Sequence, residues 1–388
     1  MRFRYSKEAN GKLVKKAAVY TREEHKIDFS NVDNNAVFIT ERLQANGYET
    51  YIVGGAVRDL ILGKKPKDFD IVSEASPAKI KRIFRNSRII GRRFRLVHVY
   101  FGPKIYEVST FRSMKDGPTS NTFGTIEEDV HRRDFSLNAL FYDPLKQIVI
   151  DYVGGMKDIR KKLIRPIISL SSIFTDDPVR MIRAVKYGAV TGFKLPFSLR
   201  LKIRSQSKLL ATISPSRLTE EIIKIINSPN AGEVVDRLDS LGLYSYLQPG
   251  AAELFKNMHG FKTRYLKTMG AVKSEAARGE AMSTLIRDYL DDHVEWSGQK
   301  PLSDRYKNAF ILARKFVLPM NPSRIELDAA VKLLFAEHGF IVKKSPVFMR
   351  HSGQAAAEAA KSETGEEIKR KRRRKRKTPE TSKEIAEP

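Results

Sequence analysis

The chain has 388 residues, 41% of them hydrophobic, enough to bury the core of two or three packed units. Its 71 Lys and Arg against 45 Asp and Glu leave a net charge of +26, which points to a polyanionic partner, nucleic acid first among them. Cysteine is absent, which excludes disulfides, cysteine-ligated zinc and thiol nucleophiles. No run approaches the roughly 18 apolar residues of a membrane span, and Met1 to Tyr5 lead into polar sequence without an apolar signal core. A cytoplasmic chain is expected.

Residues 1–27 are basic and weakly patterned and read as an N-terminal extension. Val37, Ile39 and Leu43, with Gly47 as a stop, predict a helix over 35–44. From Thr50 to Asp151, β-rich runs at 51–53, 69–72, 97–101, 105–110 and 147–152 alternate with short helical ones, the texture of a mixed α/β unit. After Gly154-Gly155 the period becomes helical, at 179–187, 218–226, 234–241 and 302–316, and Ser323-Arg324-Ile325-Glu326 reads as a capping box ahead of a last helix. Beyond about His351 the chain turns Ala-, Glu- and Lys-rich and then purely basic, which predicts a disordered tail.

Asp68-Phe69-Asp70-Ile71-Val72 places two carboxylates at i and i+2 on a predicted strand, on one face, where they can bridge two divalent ions. Phosphoryl transfer gains from that pair, and oxygen donors suit Mg²⁺. Glu107, inside the strand-like Ile105 to Ser109, is either an exposed-face residue or a third acidic group beside the pair. Ile52-Val53-Gly54-Gly55-Ala56-Val57-Arg58-Asp59 runs from strand through two glycines into a helix, letting backbone N–H groups approach a triphosphate, with Arg58 one turn in. An ordinary tight turn reads the same way. His131-Arg132-Arg133-Asp134 to Asn138 offers guanidiniums, a carboxylate and an amide to phosphate and ribose oxygens, or else a surface salt-bridge cluster. In Asp176 to Lys186, Arg180, Arg183 and Lys186 share a helix flank, and Asp177 before Pro178 fits the N-cap.

Together and in this order, Gly54-Gly55-Ala56-Val57-Arg58-Asp59, Asp68-Phe69-Asp70, Glu107 to Arg112, Arg132-Arg133-Asp134-Phe135 and Asp177-Pro178-Val179-Arg180 resemble the class II polynucleotide nucleotidyltransferases, which include bacterial poly(A) polymerases and tRNA CCA-adding enzymes. The resemblance implies an α/β nucleotidyltransferase head, a mixed sheet with flanking helices, followed by an all-α neck and body and the basic tail. The expected boundaries are 1–27 extension, 28–160 catalytic head, 161–250 neck, 251–350 RNA-binding body and 351–388 tail. It implies two Mg²⁺ on Asp68 and Asp70, with Asp134 and Glu107 as further acidic groups of catalysis. Gly54, Gly55, Arg58, Arg112, Arg133 and Asn138 would face the nucleotide's phosphates and sugar. Asp177 and Arg180 would read its base, with Arg183 and Lys186 nearby. Asp176 stands where the family has Glu and Lys186 where it has Arg, which removes a bidentate contact at 186.

Ile89 to Val99, with Gly91-Arg92-Arg93-Phe94 at its centre, resembles bacterial poly(A) polymerases more than CCA-adding enzymes, as do Asn121 to Asp129 and Tyr20 to His25. The expected activity is therefore template-independent addition of AMP from ATP to RNA 3′ ends, in RNA processing and decay. The alternatives are complete or partial CCA addition to tRNA, and a non-catalytic RNA-binding protein that keeps the scaffold. Intact carboxylates argue against the last, because clustered like charges are costly without a metal. RNA is the expected partner, and an RNA-decay complex is compatible with this reading. Such an enzyme holds RNA by its backbone, so Arg92, Arg93 and the run Lys369, Arg370, Lys371, Arg372, Arg373, Arg374, Lys375, Arg376 and Lys377 are the expected RNA contacts. Removal of residues 365–388 is expected to weaken RNA binding and flatten its salt dependence without ending chemistry on short primers. Filter binding across salt and extension at saturating RNA check this, and lost turnover at saturation contradicts it.

Overall fold

The computed structural model describes residues 2–7, 12–91, 96–113, 122–272, 275–343, 345 and 347. Arg92, Arg93 and the basic run Lys369 to Lys377 lie outside the described residues. The chain divides into two compact units, 1–274 and 275–388. No helix among the described residues is long and apolar enough to cross a membrane.

The first unit is built on nine strands: β1 (Arg2–Lys7), β2 (Leu13–Tyr20), β3 (Thr50–Val53), β4 (Asp70–Ser73), β5 (Ser87–Ile90), β6 (Leu96–Phe101), β7 (Lys104–Thr110), β8 (Leu140–Asp143) and β9 (Ile148–Asp151). They form one sheet in the order β1-β2-β9-β8-β3-β4-β7-β6-β5. Only β4 and β7 run parallel, so the sheet is mixed, as expected. Its helices are α1 (Arg22–His25), α2 (Asn34–Ala45), α3 (Gly55–Ile61), α4 (Pro77–Ile83), α5 (Ile126–His131) and α6 (Gly155–Arg160). An all-helical run follows: α7 (Ile173–Asp176), α8 (Val179–Thr191), α9 (Phe197–Gln206), α10 (Pro215–Ile226), α11 (Ala231–Ser240), α12 (Tyr244–Leu247), α13 (Pro249–Asn257) and α14 (Phe261–Gly270).

The reading of residues 1–27 as an extension needs correction, because β1 and β2 belong to the sheet. β2 pairs with β9 through Ala18↔Asp151, Val19↔Ile150 and Tyr20↔Val149, and Ala17 enters the apolar core with Tyr51, Val53, Val72, Phe111, Phe141 and Ile150. Lys15 is exposed and Lys16 lies half-buried against Glu127 at 3.1 Å, and two consecutive lysines weaken the apolar alternation that marks a strand. β8 is also absent from the sequence reading, since all four of its residues are buried and a strand covered on both faces shows no alternation.

The turn at Gly154-Gly155 packs closely rather than linking loosely. Asp151 accepts hydrogen bonds from the N–H groups of Val153, Gly154, Gly155 and Met156 at 2.8–3.1 Å, satisfying the start of α6. A Cβ on Gly155 would lie 2.3 Å from the Ser136 carbonyl oxygen. Ser136 in turn donates to Asp158 at 2.6 Å, and Arg165 donates to the same carboxylate at 2.7 Å. The head and the helices that follow it fall within the first unit, 1–274.

In the second unit α15 (Arg278–His293), α16 (Leu302–Phe316) and α17 (Arg324–Glu337) pack together. α16 has the limits read from its periodicity, and α17 carries the expected capping box between Ser323 and Glu326. The Tyr306 hydroxyl donates to the buried Asp328 carboxylate at 2.8 Å and joins α16 to α17.

His25 fastens the N-terminal segment to the sheet. Its ring is 2% exposed, Nδ1 accepts from the Ile27 N–H at 3.0 Å, and Nε2 lies 3.0 Å from the Gln147 carbonyl. The arrangement requires a neutral ring with the proton on Nε2. Burial pushes its pKa below the ordinary 6.5, more than the Gln147 carbonyl lifts it. The unfolded chain therefore takes up a proton first as pH falls. The stability His25 contributes is complete above about 6.5 and is lost as pH drops through the lower folded value. The urea midpoint is expected to fall between pH 7 and pH 5, and to fall less in His25→Gln; equal slopes would contradict this.

Candidate active site

The ladder between β3 and β4 ends at Val53↔Asp70, and there Gly54 turns the chain at φ 73°, a conformation open to glycine. A Cβ on Gly54 would sit 3.4 Å from the Asp70 Oδ2, so the glycine turn lies against that carboxylate. The parallel register of β4 on β7, Ile71↔Val108, sets the preceding residues Asp70 and Glu107 side by side on one face. Asp68 departs from expectation. It is exposed and precedes β4, because the partner strand β3 has already turned away at Gly54.

A cleft of ≈ 430 Å³ opens over this corner. Its lining includes Gly54, Gly55, Asp70, Glu107, Arg112, Arg132, Arg133, Asp134, Asn138, Asp177, Arg180 and Arg183. Solvent reaches Asp70 through the mouth, but the protein beneath displaces much of the water that stabilises its charge. That loss, then Glu107, and more weakly Asp68, push its pKa up to about 6 against the pull of Arg133.

The opposite wall is basic. Asp129, 1% exposed at the end of α5, accepts from Arg132 Nε at 2.8 Å and from Arg133 Nη2 at 2.8 Å and Nε at 3.1 Å. Burial opposes its charge, yet Arg133 and Arg132 hold its pKa below the usual carboxylate range. Arg112 beside them is pushed down to about 10 by burial and by Arg132 and Arg133. Crowded guanidiniums of this kind favour an anion between them.

The third wall is the start of α8. Asp177 Oδ1 accepts from the Val179 N–H at 3.1 Å, as an N-cap should, and its Oδ2 accepts from Arg217 of α10 at 2.7 Å. Arg180 donates to the Ile173 carbonyl at 3.1 Å. Arg183 lies 3.6 Å from Asp134 and 3.8 Å from Glu221, a carboxylate of α10 only 2% exposed.

Two expected nucleotide contacts fall outside the lining. Arg58 is buried behind Gly55, where it donates to Asp59 at 2.8 Å and to the Asn138 Oδ1 at 2.9 Å, so it positions the amide instead of facing the cleft. Lys186 turns toward the Glu221 side, and burial lowers its pKa. The sequence reading missed Asp129, Arg217, Glu221 and the lining residue Tyr187. Asp129 was signalled by its i, i+3 and i+4 spacing to Arg132 and Arg133; Arg217 and Glu221 act across the fold and carry no local signal.

Among the described residues no three His, Cys, Asp or Glu side chains converge to enclose a metal. Asp70, with Asp68 and Glu107 near, instead forms an open set of oxygen donors with excess negative charge. Mg²⁺ suits it, since that ion is typically held by one or two carboxylates with water and phosphate oxygens completing the shell.

Residues 50–165 match the model of the Poly A polymerase head domain, and 192–255 match that described as the probable RNA and SrmB- binding site of polymerase A. Poly(A) polymerase I of Salmonella typhi is 41% identical over 253 residues, 61% of this chain and 54% of that protein. The CCA-adding enzyme of Geobacillus thermodenitrificans is 40% identical over 224 residues, 56% of this chain and 55% of that protein. The chain thus spans about half the length of these relatives. The crystal structure of the Bacillus stearothermophilus CCA-adding enzyme in complex with CTP superposes with a TM-score of 0.53 at 28% identity, covering 78% of this chain and 82% of that one.

Loss of the Asp129 carboxylate strands two half-buried guanidiniums. Asp129→Ala is expected to cost about 3–5 kcal/mol of unfolding free energy, and Asp129→Asn less because an acceptor remains. Urea unfolding followed by circular dichroism measures both; equal costs would contradict the charge argument.

Proposed function

Because the chain belongs to the nucleotidyltransferase family of poly(A) polymerases and CCA-adding enzymes, we propose that it is a template-independent polynucleotide adenylyltransferase, adding AMP from ATP to RNA 3′ ends. The observation that carries the reading is one cleft in which an acidic corner, Asp70 with Glu107, faces the basic wall of Arg112, Arg132 and Arg133. In the reaction the RNA 3′-hydroxyl attacks the α-phosphorus, a new phosphodiester forms, and pyrophosphate leaves.

Two Mg²⁺ held by Asp70 and Asp68 would lower the pKa of the attacking hydroxyl and offset charge on the leaving pyrophosphate. The arginine wall, held in place by Asp129, takes the triphosphate and keeps it in line with the 3′ end. Asp177 and Arg180 present hydrogen-bonding groups to the base, and their bonds to Arg217 and to the Ile173 carbonyl fix their orientation. Asp134 and Glu221 hold Arg183 between them, so Asp134 acts here by positioning α8. AMP over CMP rests on the greater likeness of the Ile89 to Val99 segment to the poly(A) polymerases.

CCA addition to tRNA is the second reading, favoured by the Geobacillus relative and by the likeness to the Bacillus stearothermophilus structure. Purified protein with Mg²⁺, given each nucleotide separately with tRNA lacking CCA and with an unstructured oligonucleotide, separates the two. ATP is expected to extend both RNAs; efficient CTP use confined to the tRNA would sink the adenylyltransferase reading. Asp70→Ala is expected to lower extension at least about 1,000-fold, the equivalent of several kcal/mol of barrier, with the thermal midpoint intact. Unchanged extension would refute the metal assignment.

A further inference from the structure

A second hollow lies on the head, with no lining residue in common with the cleft. Its cavity volume is ≈ 620 Å³, and Phe38 and Arg42 of α2, Tyr48, Arg82 of α4, Arg85, and Tyr100 and Phe101 of β6 form its wall. Phe38 leaves 43% of its surface exposed although its ring meets Phe101 edge-on at 5.9 Å. Arg42, Arg82 and Arg85 are all exposed, and no acidic residue lines the hollow. Their guanidiniums make no hydrogen bond or ion pair among the described residues, unlike those of Arg132, Arg133 and Arg217 in and beside the cleft.

Exposed arginines elsewhere in this chain find acidic neighbours, as Arg217 with Asp177 and Arg278 with Glu326 illustrate. Three that cluster around aromatic rings with no counter-charge make a site for a polyanion that also presents flat apolar surface. Single-stranded nucleic acid has that chemistry, with phosphates for the guanidiniums and unstacked base faces for the rings. A duplex hides its base faces, and an acidic peptide has no use for the rings.

The hollow and the cleft sit at opposite ends of one strand. Leu96, which begins β6, lines the cleft, and Tyr100 and Phe101, which end it, line the hollow. At about 3.3 Å per residue this separates them by roughly 15 Å along the strand, a distance a few nucleotides of RNA can span.

We propose that this hollow is a second, non-catalytic site for single-stranded RNA, gripping phosphates with Arg42, Arg82 and Arg85 and stacking a base on Phe38. It would hold RNA upstream of the 3′ end while the end occupies the cleft. The inference rests on the RNA-extending activity proposed above, and the test separates the two.

Full-length protein is compared with the triple variant Arg42→Ala, Arg82→Ala, Arg85→Ala and, separately, with Phe38→Ala, each checked for an unchanged thermal midpoint. Binding of fluorescent oligoadenylates of roughly 20 and roughly 2 nucleotides, the shorter unable to reach from the cleft to the hollow, is measured by anisotropy across salt. Long-oligomer affinity is expected to fall at least 10-fold in the triple variant, and its salt slope to lessen by about 2, at about 0.7 per phosphate. Phe38→Ala is expected to lose about 5- to 160-fold. Binding and extension of the short primer should stay as in the parent. Equal long-oligomer affinity and slope would overturn the proposal, as would a loss shared equally by the short primer. Binding of polyglutamate through these arginines with RNA affinity unchanged would overturn it in favour of an acidic protein partner. If the parent protein fails to extend any primer, the proposed function falls, whereas the binding comparison still decides the hollow.

Discussion

Keeping Asp70 charged is the constraint around which the cleft is organised. The parallel pairing of β4 and β7 sets Glu107 beside it, Asp68 adds a third negative charge, and packing beneath removes water, so the carboxyl is driven up to about 6. A cation relieves that strain, and the fold brings several guanidiniums near without pairing them directly to Asp70. Arg132 and Arg133 are tied back to Asp129, Arg183 spans Asp134 and Glu221, and Arg58 is turned to Asp59 and Asn138. The positive groups are thus restrained by partners of their own, and the acidic corner stays available to whatever enters the cleft.

The same division governs α8. Its residues facing the cleft are held from behind by α10, through Arg217 on Asp177 and Glu221 on Arg183. Glu221 is nearly inaccessible; its Oε2 has no hydrogen-bond partner among the described residues, while its Oε1 lies 3.8 Å from Arg183 and 3.7 Å from Lys224, whose charges offset its own. A rigid face with fixed donors and acceptors can discriminate between bases because a wrong base leaves buried groups unpaired. α10 therefore belongs with the cleft although none of its residues lines it.

Local pattern made α16, α17 and the strands around Asp70 and Glu107 readable in advance, since each couples one exposed face to one buried face or carries a cap of distinct chemistry. β8 was hidden because it is buried on both faces, and β2 because its two consecutive lysines blur the alternation. Within the cleft, the order of the acidic and basic motifs along the chain was legible, and most of the named residues do line it. Which arginines face inward was not. Arg58 and Arg133 look equivalent as letters, but Arg133 is captured by Asp129 one helical turn away, whereas Arg58 is captured by Asn138 from a segment distant in sequence, which no local pattern shows.

The partnership of β2 with β9 also sets an order of events during synthesis. The strand at 13–20 must wait for roughly 130 further residues before its hydrogen-bonding partner exists, which at about 5–20 residues per second is roughly 6–26 s. Throughout that interval its edge is available to other chains, and the closure of so long a loop is slow in itself. Lys15 and Lys16 within β2, and Arg2 and Arg4 of β1 beside it, then have a use unconnected with any ligand. Like charges on two copies of such an edge oppose their pairing with each other.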